Sequence, residues 1–206
     1  MVNARRGLRA GPRGRMLARR KPGSSPVADP DVVLAPPLYR AAVPPLDRAV
    51  ARTAAAVARA AADLGEGIGA ALEVRPAPGM LPAGRQAATA MQFALRIAYP
   101  LAGLRAPEPR GGMDAAGLAA RAAETRRLLA ALDPAAFAGV ETRIVRGQAG
   151  FAALEMPGEA FLFEFGLPNL YFHQAMAHVA LKQAGAPLGK ADFDGLHVYP
   201  EGFSFG

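Results

Sequence analysis

The chain has 206 residues, 51% of them hydrophobic and 20% charged, which is one domain with room for a short extra segment and too much apolar content for disorder throughout. It contains no cysteine, which excludes disulfides, thiolate metal sites and a cysteine nucleophile, and its serines are confined to Ser24, Ser25 and Ser204, which all but excludes a serine hydrolase. The net charge of +7 is unevenly placed: residues 1–21 hold seven arginines, one lysine and no acid, leaving 16 basic against 17 acidic residues over the rest.

A basic fold surface would point to nucleic acid; a basic tail on a near-neutral fold points to much less. Gly, Pro and Arg without periodicity bury nothing, so residues 1–21 read as a disordered leader, or as an upstream stretch added by an early start, with Met16 an internal alternative. The competing reading is an electrostatic arm for phosphate backbones or anionic lipid. Arg5-Arg6 resembles a twin-arginine pair but no apolar region follows, so no export signal is expected and the location is expected to be cytoplasmic. No stretch approaches ~18 uninterrupted apolar residues, so no membrane span is expected. Residues 22–37 form a Pro-rich linker, so that 1–37 is tail and linker, 38–195 the folded domain, and 196–206 an extension carrying Phe203 and Phe205.

Four helices are predicted inside the domain. The first follows Pro44-Pro45, where proline's missing N–H is not needed; Leu46, Val50, Thr53, Val57, Ala61 and Leu64 make one apolar stripe, and Gly65 and Gly67 end it. The second begins near Pro82, turns Ala87, Met91, Ala94, Leu95, Ala98 and Leu101 inward, and closes at Gly103, with Pro100 bending its last turn. The third is N-capped by Asp114, carries Leu118, Ala122, Thr125, Leu129 and Leu132, and stops at Asp133-Pro134. A small β-hairpin follows, with strands at 140–146 and 151–154 joined by Gly147-Gln-Ala-Gly150. The fourth helix runs from Glu159 to Ala184 and is capped by Gly185. Phe161, Phe165, Phe172, Met176 and Val179 give it the heaviest apolar content, and Pro168 predicts a kink or late restart. Four such stripes with short connections imply an all-α antiparallel four-helix bundle with a hairpin between its third and fourth helices. Alanine leaves little area to bury per residue, so packing quality, the phenylalanines of the fourth helix and dimerisation must make up the difference.

Chemistry has few places to sit. The histidines are His173, His178 and His197. Residues five apart on a helix differ by about 140° around the axis, so His173 and His178 cannot face one ion, whereas Asn169 and His173, about 40° apart, face the same way. Gln86 and Gln92 of the second helix are the candidate third groups, but one imidazole and neutral amides make a poor zinc shell. The bland reading of His173 is a partly buried side chain bonded to a carbonyl or to the second helix; His178 reads as a surface or dimer-contact residue. Glu164 is either a buried acid with a raised pKa or a snorkelling side chain. Gly65, Gly67 and Gly69 neither follow a strand nor open a helix, so no nucleotide loop is supported.

The run Phe165-Gly-Leu-Pro-Asn-Leu-Tyr-Phe-His173, followed by Gly189-Lys-Ala-Asp-Phe193, resembles the signature of a bacterial family of unknown function related to the DinB and YfiT-like superfamily. Tyr39-Arg-Ala-Ala-Val-Pro44, Pro78-Gly-Met-Leu-Pro82 with Arg85-Gln86, and Leu132-Asp-Pro with Phe137 extend the resemblance over residues 38–195. It implies a DinB-like four-helix bundle, often dimeric, in which a histidine of the second helix and a His-x-x-x-His pair of the fourth hold a divalent metal. Here the pair reads Asn169-x-x-x-His173 and the second helix has no histidine. The expectation is therefore a bundle lacking the triad, with no cofactor, binding a small ligand or partner in a pocket lined by Arg85, Gln86, Gln92, Asn169, Tyr171 and His173. The alternatives are a DinB-like metal-dependent transferase or hydrolase with a degenerate, weak divalent-metal site, an enzyme using His173 as general base, and nucleic-acid binding through the basic tail.

Overall fold

The computed structural model describes residues 35–200 and Phe203; the basic tail, the linker up to residue 34, and residues 201–202 and 204–206 lie outside them. The described chain is mostly helical with one two-stranded antiparallel sheet.

Helix α1 spans Pro37–Leu64. It starts earlier than its stripe predicts, because Pro36-Pro37 supply the proline start and Pro44 and Pro45 lie inside. An interior proline forgoes a backbone hydrogen bond, at a cost of about 3 kcal/mol. The added turns are held by tertiary packing: Leu38, Ala42 and Val43 are buried, and Tyr39 stands edge-on to the buried Phe137 at 5.2 Å between centroids. Gly65 does not end the helical run either. A 3-10 turn, Gly65–Gly67, leads into α2, Ile68–Glu73, which buries Ala71 and Leu72.

Helix α3, Ala83–Leu101, is the centre of the fold and packs against α1, against α4 (Ala115–Ala130), and against the last long helix. Ala87, Met91, Ala94, Leu95, Ala98 and Leu101 are all fully buried. Asp114 caps α4 by accepting from the Gly117 N–H at 2.7 Å. A 3-10 turn, Pro134–Phe137, then delivers Phe137 to the core.

The hairpin differs from its expected register. Strand β1 is Ile144–Ala149 and β2 is Ala152–Pro157, pairing Ala149 with Ala152, so the connection is Gly150-Phe151. Gly150 takes the left-handed conformation (φ 58°) that such a two-residue turn requires. Gly147, expected in the turn, lies mid-strand opposite Leu154. It is small for a packing reason: a Cβ there would sit 2.6 Å from the ring of the buried Phe161.

The final helical stretch has three parts: α5 (Gly158–Ala160), a π-helical turn (Phe161–Gly166) and α6 (Leu167–Gln183). Pro168 sits in the first turn of α6, where the missing N–H costs least, so the proline marks a restart. The π turn is closed by the Leu167 N–H on the Leu162 carbonyl. It adds a residue to one turn and so shifts the phase of everything after it. The inward face of α6 becomes Leu170, Gln174, Ala177 and Leu181, while Phe172 (49% exposed) and Val179 (40%) turn outward. A short helix α7, Lys190–Asp194, follows and lies against α1.

The core has two parts. One gathers Leu46, Leu95, Ile97, Phe137, Val145 and Phe161 beside the hairpin. The other is rich in alanine (Ala56, Ala60, Ala87, Ala177 and Ala180 among them) and lies where α1, α3 and α6 meet α2. The short side chains let helices approach closely, and they also set where space is left over.

Candidate functional site

His173 on α6 and Gln86 on α3 meet across the helix pair, His173 Nδ1 lying 2.7 Å from Gln86 Oε1. Gln86 is 1% exposed and gives its Nε2–H to the Leu81 carbonyl at 3.3 Å. Its oxygen therefore faces the imidazole as an acceptor, and Nδ1 carries the ring proton. This fixes the tautomer with a bare lone pair on Nε2. The ring is half-buried, stacks on Phe93 (centroids 5.4 Å, planes 23° apart) and meets Phe172 edge-on. Burial holds the His173 pKa below the usual imidazole range, and the neighbouring Arg96 charge pushes the same way. The side chain at neutral pH is a neutral base with its free nitrogen turned away from Gln86.

Asn169, one turn earlier, donates Nδ2–H to the Phe165 carbonyl at 2.7 Å. It satisfies an acceptor of the π turn next to Pro168, which brings no N–H. Gln92 lies further along α3, donating Nε2–H to the Pro107 carbonyl at 3.3 Å, with its Oε1 buried and unpartnered. It lines a cleft of about 670 Å3 between α3, the hairpin and the π turn, together with Arg96, Arg105, Arg146, Gln148 and Phe165. Arg85 is exposed on α3. Tyr171 lies in a different cleft, beside Arg48 and Arg52 of α1 and Phe193 of α7. Of the six residues expected to share a pocket, His173 and Gln86 touch, Asn169 and Gln92 lie one turn or more away along the two helices, and Arg85 and Tyr171 are placed elsewhere.

The other expected groups are placed as follows. Glu164 is exposed in the π turn. His178, read as a surface or dimer-contact residue, is half-buried against Phe193 within the chain, with ring centroids 5.9 Å apart, and its Nδ1 is buried without a partner among the described residues. Burial lowers its pKa, with Lys182 adding to the effect and Asp192 opposing it. His197 bonds Asp194 within the turn after α7. Sequence reasoning passed over Gln174, although an amide one turn from Leu170 on the apolar face of α6 is a detectable signal. It is 4% exposed, donates to the Phe193 carbonyl, and leaves Oε1 unpartnered.

The divalent metal implied by the DinB resemblance does not fit this donor set. Among the described residues no three His, Asp or Glu side chains come together. Around His173, whose Nε2 is free, the neighbours are neutral amides: Gln86 gives its oxygen to the imidazole N–H and Asn169 adds one amide oxygen, so a single imidazole stands without a second imidazole or a carboxylate to complete the site.

No curated protein matches the chain. The crystal structure of a DinB family member protein from Shewanella denitrificans is similar, with a TM-score of 0.68 and 26% sequence identity over 79% of this chain and 94% of that one. Residues 38–194 match the family described as Domain of unknown function (DUF1993). The chain belongs to that family, and its fold is DinB-like.

Proposed function

We propose that this protein is a DinB-like antiparallel four-helix bundle that binds a small ligand or a partner on the face between α3 and α6, without triad metal chemistry. The observation that carries this reading is the set of groups around His173: the amides Gln86 and Asn169, with no second imidazole or carboxylate among the described residues, leave its Nε2 as a fixed neutral acceptor beside the half-exposed ring of Phe172. A ligand with an O–H or N–H donor for Nε2 and an apolar body to lie against Phe172 suits that combination. Phe163 and Phe172, each about half exposed, support a homodimer that would cover them. Among the described residues no helix is long and apolar enough to cross a membrane.

Two measurements test the reading. Incubation with zinc, nickel and manganese should leave well under one ion per chain after desalting. One tightly held ion per chain, lost in His173→Ala, would overturn it. A fragment screen followed through the His173 ring proton resonances should find donors that shift them in the native chain. No perturbation across the screen counts against ligand binding here.

The neutral imidazole favours one further reading, a metal-free enzyme with His173 Nε2 as general base. Such an activity would be flat above the depressed His173 pKa and disappear in His173→Ala.

A further inference from the structure

Where α1 meets α6 and α7, the alanine-rich packing leaves two adjoining spaces. The inner one, about 10 Å3, lies among Thr53, Ala56, Gln174, Ala177, His178 and Phe193. The outer one, about 420 Å3, opens between Arg48, Arg52, Tyr171, Gln174, Phe193 and Leu196; that is within the range of roughly 300–1,000 Å3 usual for small-molecule clefts. Arg52, Gln174 and Phe193 border both.

The polar groups here are unusually unmatched. Arg48 and Arg52 stand one helical turn apart on α1, so their guanidinium groups reach the same side. Among the described residues neither makes an ion pair, although other arginines of the chain do: Arg59 with Asp192, Arg126 with Asp47. Arg52 is half-buried, its guanidinium close against Gly195, the left-handed cap of α7, where any Cβ would collide with it. A partly desolvated guanidinium without an anion is costly. Gln174 adds a buried, unpartnered Oε1 at the floor. The acid that also lines the outer space, Asp194, is turned to its own loop, accepting from the backbone N–H groups of Leu196 and His197 and from the His197 ring.

We propose that this cleft binds a small organic carboxylate with an apolar body. The two arginines hold the carboxylate, in the planar pairing that guanidinium groups favour. Pro45, Ala49, Leu196 and the rings of Tyr171 and Phe193 cover the apolar part. Asp192, which borders the inner space, is paired with Arg59, so two arginine charges against the one of Asp194 leave a net single positive charge, which matches a monoanion rather than a doubly charged phosphate. The site is separate from His173, and its failure would leave the reading of that face untouched.

Benzoate is the probe, with benzyl alcohol as its neutral counterpart and phenyl phosphate as the dianion, followed by titration calorimetry and amide NMR on the full chain. Benzoate should saturate one site and shift the Gly195 amide and the Gln174 side-chain signals, and benzyl alcohol should bind at least about tenfold more weakly. Arg48→Gln and Arg52→Gln should each weaken benzoate about tenfold, while His173→Ala changes nothing. Arg48 is exposed, so its charge-reversed variant Arg48→Glu keeps the test independent of any disturbance that Arg52→Gln causes at Gly195. The proposal is overturned by absence of saturable benzoate binding, by unchanged affinity in both arginine variants, or by shifts centred on His173. Tighter binding of phenyl phosphate than of benzoate would overturn the single-charge match.

Discussion

His173 and Gln86 lie 87 residues apart in the chain and 2.7 Å apart in the fold, and the amide decides which imidazole nitrogen carries the proton. Replacing Gln86 with leucine keeps the bulk and removes the acceptor. The orphaned Nδ1–H and Leu81 carbonyl should cost about 1–3 kcal/mol of stability. Nitrogen chemical shifts of the ring should show the Nδ1–H tautomer in the native chain and a mixture in Gln86→Leu. A native Nε2–H tautomer would contradict the geometry.

Two glycines three residues apart should respond differently to alanine. At Gly147 the new methyl presses on the buried Phe161 ring, an overpacking cost of about 1–3 kcal/mol. At Gly150 nothing lies within reach, and the cost is the left-handed backbone alone, roughly 1–2 kcal/mol. Urea unfolding measures both. A double variant with Phe161→Leu should recover part of the loss at Gly147 and none at Gly150.

Acid should weaken the fold before its carboxylates titrate. His173 and His178 are both held below the ordinary imidazole range, chiefly by burial. The unfolded chain then takes up protons first, near pH ~6.5. The stability carried by the neutral rings is complete above that pH and is lost as the pH falls toward the folded-state values, where the loss levels off. The melting temperature should therefore drop between pH 7.5 and 5.5, and His178→Gln should flatten that drop. An unchanged melting temperature across this interval would refute the assignment.

The charge division makes a prediction about nucleic acid. Any DNA retention by the full chain should fall steeply with salt and vanish when residues 1–21 are removed, since the remainder carries 16 basic and 17 acidic residues. Retention surviving the deletion would show that the fold itself contributes.

Most helices were legible because apolar spacing and punctuation agree. Leu118, Ala122, Thr125 and Leu129 form the buried face of α4, and Asp114 caps it, as both patterns require. The errors arose where one residue type serves two physical purposes. Pro44 and Pro45 read as a helix start, yet the burial of Leu38, Ala42 and Val43 carries the helix through them. Gly147 read as a turn, yet an aromatic ring requires its small size. A carbonyl and the second helix were both open as the partner of His173, and only its shared face with Asn169 was visible from spacing. The placement of Tyr171 was not, because it depends on how α1 and α7 pack around α6. Arg48 and Arg52 carried no local signal, since an unpaired arginine is evident only once its neighbours are known.

The π turn at Phe161–Gly166 makes the orientation of α6 a matter of residue count. Each residue on a helix is worth about 100° of rotation. A deletion of one amino acid there would let an ordinary α-helix form, and would then swing His173 away from α3 and carry Gln174 off the α1 side. The His173 face and the cleft beside Gln174 are thus keyed to a single surplus residue, so insertions and deletions in this short stretch would rewire the molecule's two faces together, where a point substitution would alter only one.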